Sequence, residues 1–278
     1  MVMFFGLCGS PPTFQAFMNC NFTDYIGEGW LVIYMDNLTI GADSLEDEEQ
    51  KVHLVLQHFH DLGLLLKLTK CDFGKLEIKF LGMIIGCGCI CMDPAKISAI
   101  TTWSPPKTVK AIQSFLSFCN FYRKFIPGFS STVAPLMALM HKNQPWTWGP
   151  EQQTAFTTLL SCFQTALVLQ LPNVHHPFIV MTDTSLLASD RVLMQRDDNG
   201  DLHPCAYLSQ TFSPVERNYN IHDCKLLTVI HVLDHLHHYL QDTSHPVTLL
   251  TNHKNLTYFH LLHSLCNLIS SSAHSSVV

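Results

Sequence analysis

With 278 residues the chain has room for about two domains, and 47% hydrophobic against 14% charged residues excludes a disordered polypeptide. A formal charge of −6, from 16 Lys+Arg against 22 Asp+Glu, counts against a broadly basic nucleic-acid surface. No apolar run approaches the ~18 residues that cross a bilayer, and Met1-Val-Met-Phe-Phe-Gly lacks a basic n-region, so the expected setting is intracellular (cytoplasmic or nuclear), without membrane or secretion.

The first predicted element is a helix over Pro11–Phe22, with prolines in its first turn and Phe14, Phe17, Met18 and Phe22 at helical spacing. After Gly27 and Gly29, the apolar run from Trp30 enters Tyr34-Met35-Asp36-Asn37 and leaves through Leu38-Thr39-Ile40, which reads as a β-hairpin. Ser44-Leu-Glu-Asp47 resembles a capping box and opens an amphipathic helix carrying Val52, Val55, Leu56, Phe59 and Leu62, stopped at Gly63. Glu77–Ile85 and Cys89–Met92 read as strands across a Gly-rich turn, which completes a helix–hairpin–helix–hairpin order.

Trp103-Ser-Pro-Pro106 marks a boundary, after which Thr108 is expected to cap a helix bearing Ile112, Phe115, Leu116, Cys119, Tyr122 and Phe125. A short helix over Val133–Met140 follows, then a hinge at Pro145–Pro150 and a helix at about 151–164. Pro177–Met181, Arg191–Gln195 and His203–Leu208 read as strands, Asp223–Leu240 as a helix, and Pro246–Thr251 as a last strand before a Ser-rich tail expected to be disordered.

The 11 cysteines are an odd number scattered along the chain, the pattern of reduced intracellular thiols. Cys87, Cys89 and Cys91 alternate on one face of a predicted strand instead of forming turn-borne Cys pairs, so a structural reading outweighs a zinc clip. His235, His237 and His238 fall on a predicted helix and read as a solvated face.

Several blocks together resemble the polyprotein of gypsy-type LTR retrotransposons. Phe5-Gly-Leu-Cys-Gly-Ser-Pro-Pro-Thr-Phe-Gln15 is similar to that family's segment beside the incoming nucleotide, and Tyr34-Met-Asp-Asn37 to its Tyr-x-Asp-Asp catalytic hairpin. Lys70-Cys-Asp-Phe73 and Phe80-Leu-Gly82 resemble further elements, the latter at the primer grip. Ser114-Phe-Leu116 with Asn120–Ile126 is similar to the thumb region. Thr182-Asp-Thr-Ser185, Glu216–Tyr219, His238-Tyr-Leu240 and Thr251–Leu256 resemble its ribonuclease H-like part. The match runs collinearly from residue 4 to about 260.

The resemblance implies an α+β protein with a partial reverse-transcriptase palm over 1–93 and a thumb-like region with linker over 94–149. A ribonuclease H-like α/β domain over 150–262 and a disordered tail over 263–278 follow. It further implies RNA-directed DNA polymerase and RNA–DNA hybrid hydrolase ancestry, magnesium as cofactor and an RNA/DNA template-primer as partner. Phe5, Gly6, Gln15, Tyr34, Met35, Leu81 and Gly82 fall at nucleotide- or primer-binding positions, and Asp36 and Asp183 at metal-binding acids.

At the remaining catalytic positions the chain departs from the family. Asn37 replaces the second hairpin acid, Lys225 the helix Glu, and Asn252 the acid of the Thr-Asp-His-Lys block. An ammonium has donors and no lone pair to offer a metal. The chain also begins at the Phe-Gly-Leu block, downstream of the family's first palm acid and of the strand that carries it. The expectation is therefore a truncated scaffold with catalysis lost, its open edge favouring poor solubility or a partner chain. A weakly active or partner-completed polymerase, or a non-catalytic binding module for nucleic acid or protein, is the alternative.

Overall fold

A computed structural model describes residues 6–142, 144–165, 168–185, 188–240, 243, 245–251 and 276–277. The chain forms two compact units, Met1–Leu81 and Gly82–Val278.

In the first unit, helix α1 (Ser10–Asn21) carries Pro11 and Pro12 in its first turn, where the missing N–H groups cost no helical bond. The short α2 (Thr23–Gly27) leads to a two-stranded sheet, β1 (Leu31–Tyr34) against β2 (Asn37–Ile40), paired from Leu31↔Ile40 to Tyr34↔Asn37. Helix α3 (Leu45–Asp61) is capped by Ser44, whose Oγ accepts from Asp47 N at 3.2 Å. It ends where Gly63 takes a φ of +67°, a left-handed C-terminal stop that glycine adopts without steric cost. Met18, Phe22, Leu31, Val55 and Phe59 form the core, with the Phe22 and Phe59 rings 5.3 Å apart. Leu56, expected on the inner face of α3, is 39% exposed, because the small sheet covers only a narrow stripe of the helix.

The stretch 77–85, read as one strand, is instead β3 (Glu77–Phe80) and β4 (Met83–Gly86), because the consecutive residues Leu81 and Gly82 take φ of +49° and +75° and turn the chain. β4 and β5 (Cys89–Met92) form a second tight hairpin. Its two loop residues, Cys87 and Gly88, have φ of +50° and +72°, so Cys87 lies in the turn and not on the strand face shared by Cys89 and Cys91.

Helix α4 (Pro94–Thr101), absent from the sequence reading, is signalled by Asp93-Pro94: Asp93 Oδ1 accepts from Ala95 N at 3.0 Å and proline occupies the first helical position. Thr108 caps α5 (Val109–Phe121) by accepting from Ala111 N at 3.2 Å. Helix α6 (Phe129–Ala138) begins before the expected Val133, because Gly128 at φ +59° reverses the chain and supplies the carbonyl that Thr132 N reaches at 3.1 Å. Helix α7 (Pro150–Gln164) leads to the two-residue β6 (Leu169–Gln170), which pairs with β5. Ile112, Phe115, Cys119, Tyr122, Phe125, Leu136, Phe156, Leu159 and Phe163 pack into one core between these helices.

The remainder is a five-stranded sheet in the order β11-β10-β7-β8-β9. It comprises β7 (Phe178–Thr184), β8 (Ala188–Arg196), β9 (Leu202–Thr211), β10 (Thr248–Thr251) and β11 (Ser276–Val277). β7–β9 form an antiparallel meander and β10 runs parallel to β7. Helix α8 (Ile221–Leu240) lies on one face, its Val229, Val232, Leu236 and Leu240 packing on Phe178, Val180, Leu193 and Cys205. The helical core and the sheet are joined: Ser130 N donates to Ser209 Oγ at 2.8 Å and Tyr207 packs on the helical core. Apart from the β11 residues, the tail expected to be disordered lies outside the described residues. Among the described residues no helix is long and apolar enough to cross a membrane, and the ten described cysteines are free thiols.

Tyr122 Oη donates to Gly82 O at 2.8 Å, and a Cβ at Gly82 would stand 3.1 Å from that oxygen on a backbone of φ +75°. Gly82→Ala is therefore expected to lower stability by about 1–3 kcal/mol, and Tyr122→Phe by about 0.5–1.5 kcal/mol, both measurable by urea denaturation.

Candidate functional site

The first candidate site is the tip of the β1–β2 hairpin. Its two-residue turn, Met35-Asp36, places Met35 at φ +56°, a left-handed conformation costing a bulky residue roughly 1–2 kcal/mol. Gln15 on α1 holds that turn: its Nε2 donates to Ile33 O at 3.2 Å and its Oε1 accepts from Met35 N at 2.6 Å. Gln15, Tyr34, Met35, Asp36 and Asn37 thus come together at this turn. Phe5 and Asn252 lie outside the described residues, while Gly6 precedes α1 at φ +99°. Leu81 ends the first unit and Gly82 opens the second.

Asp36 and Asn37 are both exposed, and Asn37 Nδ2 donates to Asp36 Oδ1 at 3.4 Å. The amide therefore engages the carboxylate as a donor where an acid would have added a second anionic ligand.

The second candidate site is on the sheet of the second unit. Asp183 is exposed near the end of β7, and its Oδ1 accepts from Thr184 N at 2.9 Å. Its register partner on β8 is Asp190. The neighbouring Thr184 hydroxyl meets Thr228 of α8 at 3.0 Å, and Lys225 lies one helical turn before Thr228, so strand and helix bring Asp183 and Lys225 to the same end of the layer pair. No ion pair joins them among the described residues. Nor do any three His, Cys, Asp or Glu side chains among the described residues gather as metal ligands. The residues present at either centre do not fit a magnesium pair, which takes several hard anionic oxygens.

Sequence reading missed the charged residue beneath α8. Arg191 faces the helix and is 2% exposed; its Nη2 donates to Ser189 Oγ at 3.3 Å and Gln210 Oε1 at 3.1 Å, while Nε and Nη1 have no partner among the described residues. Burial pulls its pKa down to about 10, with the Asp190 carboxylate opposing. The available signal was a lone cation inside the apolar run Arg191-Val-Leu-Met194.

The protein thus combines a hairpin with an acid at its turn, a helical bundle and a helix-covered five-stranded sheet. Residues 1–85 match the reverse transcriptase (RNA-dependent DNA polymerase) family, and residues 148–249 match the RNase H-like domain found in reverse transcriptase. The Tf2-7 and Tf2-3 transposon polyproteins of Schizosaccharomyces pombe are each 32% identical over 256 residues, 92% of this chain. The chain spans only 19% of their length. Its fold matches the foamy viral protease-reverse transcriptase in complex with RNA/DNA hybrid, with a TM-score of 0.77 at 19% identity over 99% of this chain and 39% of that one. A second foamy viral structure, in complex with dsDNA, gives a TM-score of 0.76 at 19% identity, covering 99% of this chain and 60% of its own. The chain is thus similar to the reverse transcriptase and RNase H-like regions of gypsy-type LTR retrotransposon polyproteins.

Gln15→Leu strands Met35 N and Ile33 O without their side-chain partner, so a loss of about 1–3 kcal/mol from the first unit is expected, read from hydrogen exchange of β1 and β2 amides. Arg191→Met retains the apolar stem while removing an incompletely paired buried charge. It should raise the urea midpoint by the equivalent of about 1 kcal/mol, and a lower midpoint would show that the guanidinium is net stabilising.

Proposed function

We propose that the chain is a retrotransposon-derived reverse transcriptase and ribonuclease H scaffold whose own catalysis has been lost. One observation carries this reading: of the four described positions where the family resemblance assigns an acid, two hold an amide, Asn37, and an ammonium, Lys225, and only Asp36 and Asp183 keep a carboxylate. The first change removes a negative charge and the second reverses one. Each unit of charge is worth about 1–4 kcal/mol at ~4 Å across the range from bulk water to a protein surface, and twice that toward a divalent ion. A site that depends on clustered carboxylates does not survive that change. Asn252 extends the same pattern in sequence alone.

Asp36 and Asp183 remain as single carboxylates at the two centres. Each is exposed, so solvent screens whatever field it retains. The regions 1–93, 94–149 and 150–262 correspond in this reading to palm, thumb-like and ribonuclease H-like parts. Nucleic acid remains the natural partner class, since related folds hold dsDNA and RNA/DNA hybrid. A formal charge of −6 makes that binding weak and strongly salt-dependent. Free thiols on all ten described cysteines fit an intracellular setting.

Primer extension and RNA–DNA hybrid cleavage, assayed with pure protein in magnesium or manganese, should stay at background. Activity that disappears in Asp36→Ala or Asp183→Ala would overturn the proposal. In the opposite direction, the Asn37→Asp and Lys225→Glu variants should bind manganese more tightly than the parent chain in calorimetric titration.

A further inference from the structure

His231 lies on α8 and its side chain is 17% exposed. Its Nδ1 is fully enclosed and has no hydrogen-bond partner among the described residues, while its Nε2 stands 3.9 Å from Glu216 Oε1. Glu216 belongs to the one-turn helix Glu216–Asn218 just before α8, and is fixed there by Ser213 N donating to its Oε2 at 2.6 Å. Beneath the helix, β8 supplies the buried Arg191. We infer that Glu216, His231 and Arg191 form a pH-sensitive latch, which holds α8 and its preceding turn on the sheet while His231 is neutral and loosens them when His231 takes up a proton.

The argument is a competition among named charges. Protonated His231 places a second cation in the layer that already encloses Arg191, whose two free nitrogens show that its own charge is incompletely compensated. Glu216 favours the protonated ring from one side, and Asp234 on the next helical position toward solvent adds to it. Burial, Arg191 and the neighbouring His235 oppose it. The groups packed from β7 and β9, Thr184 and Gln210, bond to Thr228 and Arg191 and carry no charge. The opposing side prevails, because a protonated ring carries an N–H at the enclosed Nδ1 with no acceptor among the described residues, and the ring's proton affinity falls below its ordinary value of 6.5. The unfolded chain thus takes up the proton more readily than the folded one, so stability is fully present above about 6.5 and is lost as pH falls below it.

The test compares urea unfolding of the full chain at pH 7.5 and pH 5.5, together with hydrogen exchange of the Val229 and Val232 amides. One linked proton raises the unfolding constant by up to about tenfold across that interval. His231→Gln should remove that share of the acid loss. Arg191→Met should shrink it, and Glu216→Gln should enlarge it. The inference fails if His231→Gln keeps the parent's acid response, or if Arg191→Met and Glu216→Gln shift it in the same direction. Because Arg191→Met relieves a buried charge, this arm reports even if Glu216→Gln folds poorly.

Discussion

The two-residue period of β7 governs most of what the second unit does. Phe178, Val180, Thr182 and Thr184 face α8, so Ile179, Met181 and Asp183 must face away. Register then assigns the same sides on β8: Leu193 and Arg191 go under the helix, and Asp190 goes to the opposite face beside Asp183, half-buried with its Oδ1 enclosed. A residue that suits the outward face is costly one position along. Arg191 shows that cost, since the pattern encloses its guanidinium among groups that satisfy only one of its nitrogens.

The hairpin of the first unit is governed by a different constraint. A two-residue turn that matches strand twist requires positive φ, and neither Met35 nor Asp36 is glycine. Gln15 compensates by binding both sides of the bend from a separate helix. The backbone of the hairpin turn is therefore held by an amide side chain that carries no charge. The turn's geometry is thus independent of whether residue 37 is an acid or an amide. Fold and chemistry rest on different side chains.

The sequence carried much of this. Helical spacing placed Ile112, Phe115, Leu116, Cys119, Tyr122 and Phe125 on one face, and all six are buried. The Ser44 and Thr108 caps act as their spacing suggests. Turns between strands were less legible, because Leu81 is an apolar residue in a left-handed conformation and interrupts an unbroken apolar run. α4 was missed although Asp93-Pro94 announces it, its apolar spacing being too short to stand out. Of the candidate sites, the hairpin was readable as a local string, whereas Arg191, Glu216 and His231 meet only through the tertiary packing of a strand, a turn and a helix.

The shared boundary between the helical core and the sheet has a consequence for inheritance. Ser209 and Tyr207 of β9 are neighbours of α6 and of the aromatic cluster around Phe115, so the sheet serves as the floor on which the helices rest. A substitution at the exposed Asp183 leaves that floor in place, whereas loss of the sheet would uncover the helices as well. Selection on solubility alone would preserve such an architecture, whichever side chains its exposed strand ends carry.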